Sequence, residues 1–194
     1  MTRVGILLAA GAGTRFEPGN KLCQPLDGEP IVRRAARRLV ESPVDETVVV
    51  LGHDAERVRR TLEPLESRLT VVRNERYDAG QSASVRRGAE EVLSRGGSVG
   101  VFALGDMPAV GSATYDELLA AIDRDDRHVV VPVYDGRRGN PVAFDAAALD
   151  RFGRLTGDAG ARALFEAMPV ARVAVDDPGI HADIDTVADL EAHR

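Results

Sequence analysis

Val4-Gly5-Ile6-Leu7-Leu8-Ala9-Ala10-Gly11-Ala12-Gly13-Thr14-Arg15 decides how the rest of this chain is read. Arg3–Leu8 is a predicted strand that breaks into a glycine turn. Its apolar residues do not alternate with polar ones, so both of its faces are buried, as in parallel sheets covered by helices. The same pattern recurs downstream. Pro30–Glu41 reads as a helix opened by proline at its first turn. Thr47–Leu51 is a second buried strand, and a helix follows from about Asp54, which can cap it. Leu69–Arg73 is a third strand, and Ser82–Arg95 a helix closed by Gly96-Gly97. Val99–Leu104 makes a fourth strand, Ser112–Arg124 a helix with serine available as its cap, and His128–Val133 a fifth strand. Strands and helices in alternation predict an α/β fold: a three-layer α/β/α sandwich around a mostly parallel, Rossmann-like sheet with right-handed crossovers.

After Tyr134 the rhythm changes. Asp135–Pro141 is turn chemistry between two short strand-like pieces, Val129–Tyr134 and Val142–Phe144, and predicts a hairpin or small β-arm. Helices over Asp145–Phe152 and Ala159–Ala167, a strand over Ala171–Val175 and a helix from about Thr186 complete the prediction. With no repeat or linker, residues 1–194 read as one domain.

Composition narrows the function classes. Of 194 residues, 25 are basic and 31 acidic, a net charge of −6, which argues against a broad nucleic-acid surface. Apolar stretches are strand-sized, far below the roughly 20 residues of a membrane span. Cys23 is the single cysteine, so neither an internal disulfide nor a multi-cysteine zinc site is available. With no segment resembling a signal peptide, a soluble cytoplasmic protein is expected. The only lysine among the 25 basic residues is Lys21.

Glycines at the end of a parallel strand let backbone N–H groups approach phosphate oxygens. The spacing is not that of a P-loop, which needs Gly-Lys-Ser/Thr. Nor is it the dinucleotide fingerprint: Phe16 stands where a third small residue belongs, and the downstream segment carries Arg33, Arg34 and Arg37 instead of an acid. That argues against a nicotinamide dehydrogenase. Arg15 and Lys21 in or just after the turn can neutralise a triphosphate. Asp106, just past the fourth strand in Leu104-Gly105-Asp106-Met107-Pro108, is a hard oxygen ligand that can hold Mg²⁺ on the same sheet edge. Asp183 and Asp185 lie on alternate faces if extended, so one points inward. Asp185 is favoured and would also cap the terminal helix. The four histidines show no metal-ligand spacing.

Taken in order, six segments resemble the molybdopterin-type (MobA-like) nucleotidyltransferases, particularly the cytidylyl-transferring branch: Leu8–Arg15 with Lys21, Gly80–Val85, Gly105–Pro108, Arg138–Val142, Gly157–Arg162 and Asp183–Thr186. The resemblance implies that Leu8, Ala9, Ala10, Gly11, Gly13, Arg15, Lys21, Gln81, Ser84 and Asp106 bind the nucleotide, with Ser84 on the cytosine edge. Arg15, Lys21 and Asp106 would be catalytic, and Asp106 with Asp185 would hold Mg²⁺. Asn140, Gly157, Asp158 and Arg162 would bind the acceptor. Ala10 matches cytidylyl-transferring relatives, where guanylyl-transferring ones carry glycine. Phe16-Glu17 departs from the usual methionine-glycine.

The implied reaction transfers a nucleotidyl group, from CTP, to molybdopterin or another phosphorylated acceptor and releases pyrophosphate. A molybdoenzyme or its chaperone is the candidate protein partner. Alternatives within the class are guanylyl transfer, or a methylerythritol phosphate or sugar phosphate acceptor. Outside it stands a nucleotide sensor or cofactor-insertion chaperone, which would not need Arg15, Lys21 and Asp106 together. On sequence grounds Lys21→Ala is expected to damage turnover and leave the melting temperature unchanged.

Overall fold

In the computed structural model the described residues are 1–13, 16, 19–124, 128–154 and 168–193. Along the chain these form β1 (Arg3–Ala9), the short strands β2 (Pro25–Leu26) and β3 (Glu29–Pro30), α1 (Ile31–Val40), β4 (Glu46–Leu51), α2 (Ala55–Leu62), β5 (Thr70–Arg73) and α3 (Gln81–Ser94). They continue with β6 (Val99–Leu104), α4 (Ser112–Ile122), β7 (Val129–Tyr134), β8 (Arg137–Arg138), β9 (Val142–Asp145), α5 (Ala146–Leu149), β10 (Val170–Ala174) and α6 (Val187–Ala192). The main sheet has the order β10-β7-β9-β6-β1-β4-β5, with β8 paired to β7. Parallel pairing holds β6, β1, β4 and β5 together, so the quoted stretch sits between two parallel neighbours.

Alternate residues of β1 feed two layers. Leu7 and Ala9 pack with α1, α2 and α4 through Val32, Leu39, Val58 and Leu118. Val4 and Ile6 pack with α3 through Val85, Ala89 and Val92. Each fully buried aliphatic side chain contributes about 1.5–3 kcal/mol, so helices on both faces hold the strand ends rigid. At Gly5 a Cβ would lie 2.8 Å from Leu39 Cδ1, so α1 rests directly on β1.

Several local expectations differ in detail. Strand β9 is no arm. It enters the main sheet between β6 and β7, antiparallel to both, held by Phe144 edge-on to Phe102 and Phe152. The tight turn at Asp135-Gly136, both with positive φ, joins β7 only to the two-residue β8. Pro30 precedes α1 as its N-cap instead of sitting in its first turn. Asp54 occupies the N-cap of α2 in a left-handed conformation with no side-chain cap bond. Helix α4 is capped from a distance: Asp177 Oδ2 accepts from Gly111 N (2.8 Å) and Thr114 Oγ1 (2.6 Å), while Ser112 is already helical. The helix expected over Ala159–Ala167 lies outside the described residues. No helix among the described residues is long and apolar enough to cross a membrane.

Candidate active site

The C-terminal ends of β1 and β6 are stitched together by Gly105 N donating to Leu8 O at 2.9 Å. A Cβ on Gly105 would come within 3.1 Å of Ala9 Cβ, so glycine permits this approach. The stitch brings Asp106 beside the glycine turn. Lys21 arrives from the other side. Asn20 Oδ1 accepts from Leu22 N at 3.0 Å and so caps the single turn of 3₁₀ helix at Lys21–Cys23, which turns Lys21 inward. Its stem passes Gly13 closely: a Cβ there would be 3.4 Å from Lys21 Cγ, in a backbone conformation (φ +56°) that already favours glycine.

The ammonium of Lys21 donates to Asp106 Oδ2 and to Asp185 Oδ1, each at 2.7 Å. The lysine side chain is only 10% exposed, the two carboxylates 23% and 25%. Burial pulls the Lys21 pKa down. The charges and hydrogen bonds of Asp106 and Asp185 together outweigh it and set the pKa above the ordinary lysine value. These three groups line a cavity of about 270 Å³ with Leu8, Ala9, Gly11, Gly13 and Leu22.

Asp185 reaches the site because Ile184 N donates to Asp106 O at 2.9 Å, tying the closing segment to the end of β6. The expected cap of α6 is corrected: Thr186 caps it in a box with Asp189, and Asp185 contributes only its backbone N–H to Asp189 Oδ2. Its carboxylate therefore turns to Lys21, whereas Asp183 is exposed. Phe16 explains the departure noted in the loop. It is buried with Leu26, Ile31, Ile184 and Leu190, and thereby clamps the glycine turn against the segment that carries Asp185.

Two carboxylates converging on one cationic position are the hard-oxygen donor set that Mg²⁺ or Mn²⁺ takes from protein when phosphates complete its shell. The residues present fit such an ion, and Lys21 holds the same carboxylates. No group of three or more metal-ligating side chains occurs among the described residues.

Other expected residues are distributed as follows. Ala10 is buried, and its carbonyl accepts from His53 N at 3.1 Å. Gln81 is exposed at the start of α3, and Ser84 is buried one turn further on. Asn140 lies at the same sheet edge as Asp106, because Val142 pairs with Phe102, but it does not line the cavity. Arg15, Gly157, Asp158 and Arg162 lie outside the described residues. Cys23 is half-buried against the larger core cluster, a packing residue. Sequence reasoning missed Asn20, although an Asn directly before Lys21 is a legible cap signal.

A mostly parallel sheet whose central strand ends in a glycine turn, with a lysine and two carboxylates gathered at that end, is the architecture of nucleotidyltransferases. The chain belongs to the MobA-like NTP transferase family, whose domain matches residues 5–174. It is an enzyme of the nucleotidyltransferase kind. Nicotine blue oxidoreductase of Paenarthrobacter nicotinovorans is 30% identical over 198 residues, covering 96% of this chain and 93% of that protein. Bifunctional protein GlmU of Shouchella clausii is 32% identical over 119 residues, which is 60% of this chain and 25% of GlmU. Among solved structures, a Methanothermobacter nucleotidyl transferase superposes with TM-score 0.83 at 26% identity, covering 100% of this chain and 96% of that one. Rv0371c of Mycobacterium tuberculosis superposes with TM-score 0.84 at 26% identity, covering 98% and 96%. Another structure of Rv0371c is a manganese complex.

Proposed function

We propose that this chain, as one nucleotidyltransferase domain over residues 1–194, transfers the cytidylyl group of CTP to the terminal phosphate of molybdopterin or its molybdenum cofactor. The observation that carries this reading is the Lys21 ammonium held between Asp106 and Asp185 at the mouth of the glycine turn. An acceptor phosphate oxygen attacks the α-phosphorus of the nucleotide. The new P–O bond forms as the bond to the bridging α–β oxygen breaks, and pyrophosphate leaves with that electron pair. The attacking phosphate is already ionised, so the protein supplies no base; it supplies position and positive charge.

In this reading Leu8, Ala9, Ala10, Gly11 and Gly13 line the phosphate path, with Lys21 and Arg15 set against the negative charge that develops. Losing one such cation costs about 3 kcal/mol, roughly a hundredfold in rate. Asp106 and Asp185 would hold Mg²⁺, which stabilises charge on the phosphate oxygens when bound. Gln81 and Ser84 flank the base. Asn140, with Gly157, Asp158 and Arg162, forms the acceptor side. Cytosol is the proposed location.

The test is pyrophosphate release from each of the four nucleoside triphosphates, with and without molybdopterin. Release that requires both CTP and molybdopterin supports the proposal. Release with a methylerythritol phosphate or sugar phosphate, or with GTP, reassigns substrate within the class. A second reading is favoured by the 30% identity across 96% of the chain with nicotine blue oxidoreductase. Oxidation or reduction of nicotine blue, without pyrophosphate release from any triphosphate, selects that reading.

A further inference from the structure

Aromatic rings are scarce in this chain, with three tyrosines, five phenylalanines and no tryptophan. Phe16, Phe102, Tyr115, Phe144 and Phe152 are buried. Among the described residues of these types only Tyr77 and Tyr134 are half-buried, and each stands beside a half-buried histidine. His53 meets Tyr77 edge-on with ring centroids 6.1 Å apart, and His181 meets Tyr134 at 6.3 Å and 59°. The first pair sits past the end of β4, where His53 N donates to Ala10 O of the glycine turn. The second lies outside the lining of the phosphate cavity.

Sheet register locates this second pair. Ala143 of β9 pairs with Val101 of β6 on one side and with Val130 of β7 on the other. Gly105 is four residues past Val101, and Tyr134 four past Val130, in strands that run the same way. The two therefore stand level at the sheet edge that carries Asp106, separated by two strand spacings, about 10 Å. His181 comes from the closing segment, which crosses the same gap. Asn140 N donates to Ile180 O at 3.1 Å, and Ile184 N to Asp106 O at 2.9 Å. Backbone holds both rings in place. Tyr134 pairs with Arg137 across the Asp135-Gly136 turn, and His181 Nε2 donates to Arg137 O at 3.1 Å. A Cβ on Gly139 would sit 2.3 Å from Ile180 O, so this turn and the closing segment are pressed together. The Tyr134 hydroxyl makes no hydrogen bond among the described residues, so hydrogen bonding does not account for the ring's position.

We propose that Tyr134 and His181 form a notch for a planar heteroaromatic ring of pterin type on the acceptor, two strand spacings from the phosphate cavity. This rests on the reading above that Asn140 faces the acceptor. Two rings inclined at 59° leave a V-shaped opening. A third ring lying flat on one of them meets the edge of the other, and these are the two arrangements that aromatic rings prefer. Removing an aromatic side chain on which a heteroaromatic base stacks lowers affinity about fivefold to a hundredfold. The flexible chain of a methylerythritol phosphate has no flat face to offer and gains nothing there.

The probe is a pterin carrying a phosphorylated side chain. Its binding to the nucleotide-free protein is followed through the fluorescence of the pterin itself and needs no turnover. Tyr134→Ala and His181→Ala should each weaken binding about fivefold to a hundredfold. Tyr134→Phe, which keeps the ring, should stay within about twofold, and Tyr134→Leu, apolar but without a π face, should fall with Tyr134→Ala. Methylerythritol phosphate should displace the pterin phosphate from wild type only at concentrations about tenfold higher or more. In pyrophosphate release, Tyr134→Leu should raise KM for the pterin phosphate and leave KM for CTP unchanged, whereas a merely structural role would move both. The proposal is overturned if Tyr134→Leu binds the probe like wild type, if Tyr134→Phe loses as much as Tyr134→Ala, or if the two phosphates bind wild type equally. Should the Ala and Leu variants fail to fold, Tyr134→Phe and the wild-type displacement still decide. The underlying reading fails separately. Pterin phosphate held by Tyr134 without pyrophosphate release from any triphosphate keeps the notch and removes cytidylyl transfer. Release with methylerythritol phosphate, and none with the pterin phosphate, keeps the transfer and removes the notch.

Discussion

Replacing Lys21 with methionine should tighten divalent-metal binding to the nucleotide-free protein. Methionine keeps most of the stem that passes Gly13 and deletes only the charge. In the native chain the ammonium lies 2.7 Å from an oxygen of each of two carboxylates, so an incoming cation must displace it from both. Two unit charges about 4 Å apart at an effective dielectric near 20 attract by about 4 kcal/mol. Partial exposure of the carboxylates and the cost of burying the ammonium reduce the net to about 1.5–3 kcal/mol, the range for hydrogen bonds to charged groups. Every 1.4 kcal/mol is tenfold, so Mn²⁺ should bind Lys21→Met about ten to a hundred times more tightly than wild type. Titration followed by the spin-resonance signal of free Mn²⁺ measures this directly. Without metal, Asp106 and Asp185 face one another uncompensated. The melting temperature should then fall by roughly 3–12 °C and recover on adding Mn²⁺. The sequence expects an unchanged melting temperature for Lys21→Ala, whereas the burial of Lys21 between two acids predicts a fall for that variant too. The reasoning is refuted if Lys21→Met binds Mn²⁺ no more tightly than wild type while Asp106→Asn weakens binding.

Further outcomes follow from the same geometry. Asp106→Ala should lower kcat at least about a hundredfold at saturating Mg²⁺, whereas Asp183→Ala, at an exposed position beside the site, should stay within twofold; steady-state pyrophosphate release checks both. Lys21→Arg keeps the charge but should recover less than a tenth of wild-type kcat in that assay. Gly52→Ala drives a Cβ into Ala10 O and Tyr77, and should cost about 1–3 kcal/mol in urea denaturation while raising KM for the nucleotide. The hydrogen bonds from Arg37 hold the Glu29 carboxyl below the usual range despite some burial. That stability is present above the unfolded carboxyl value and lost as pH falls through the lower folded one. Glu29→Gln should cost about 0.5 kcal/mol at pH 7, after solvent screening, and progressively less as the pH falls below the ordinary carboxyl range; melting curves along that pH series test it.

What was legible in the sequence was whatever local pattern decides. The run into Gly11 could only be a buried strand ending in a tight turn, and Asp106 follows another such strand with a glycine between. Once both strands are parallel neighbours of one sheet, their ends must coincide, so the pairing of Asp106 with the glycine turn was implicit. Strand β9 was different. Its four residues carry no signal of whether they pair back on β7 alone or enter between β7 and β6. The choice is made by Phe144 finding Phe102 and Phe152, contacts set by tertiary packing.

The lone lysine of an arginine-rich chain also acquires a physical cause. An ammonium is a compact charge with three donors at tetrahedral angles. Two of them serve Asp106 and Asp185 here, and the third remains for an oxygen of a ligand in the cavity. A guanidinium is planar, wider and fixed in a fork suited to one carboxylate at a time. Set between two acids that approach from the end of β6 and from the closing segment, beside Gly13, that fork could pair with one acid only by turning from the other. It would also crowd a turn that already has just 3.4 Å between a notional Gly13 Cβ and the lysine stem. A general preference for arginine can therefore reach every basic position of this chain except the one where a point charge must stand between two carboxylates and still face the cavity.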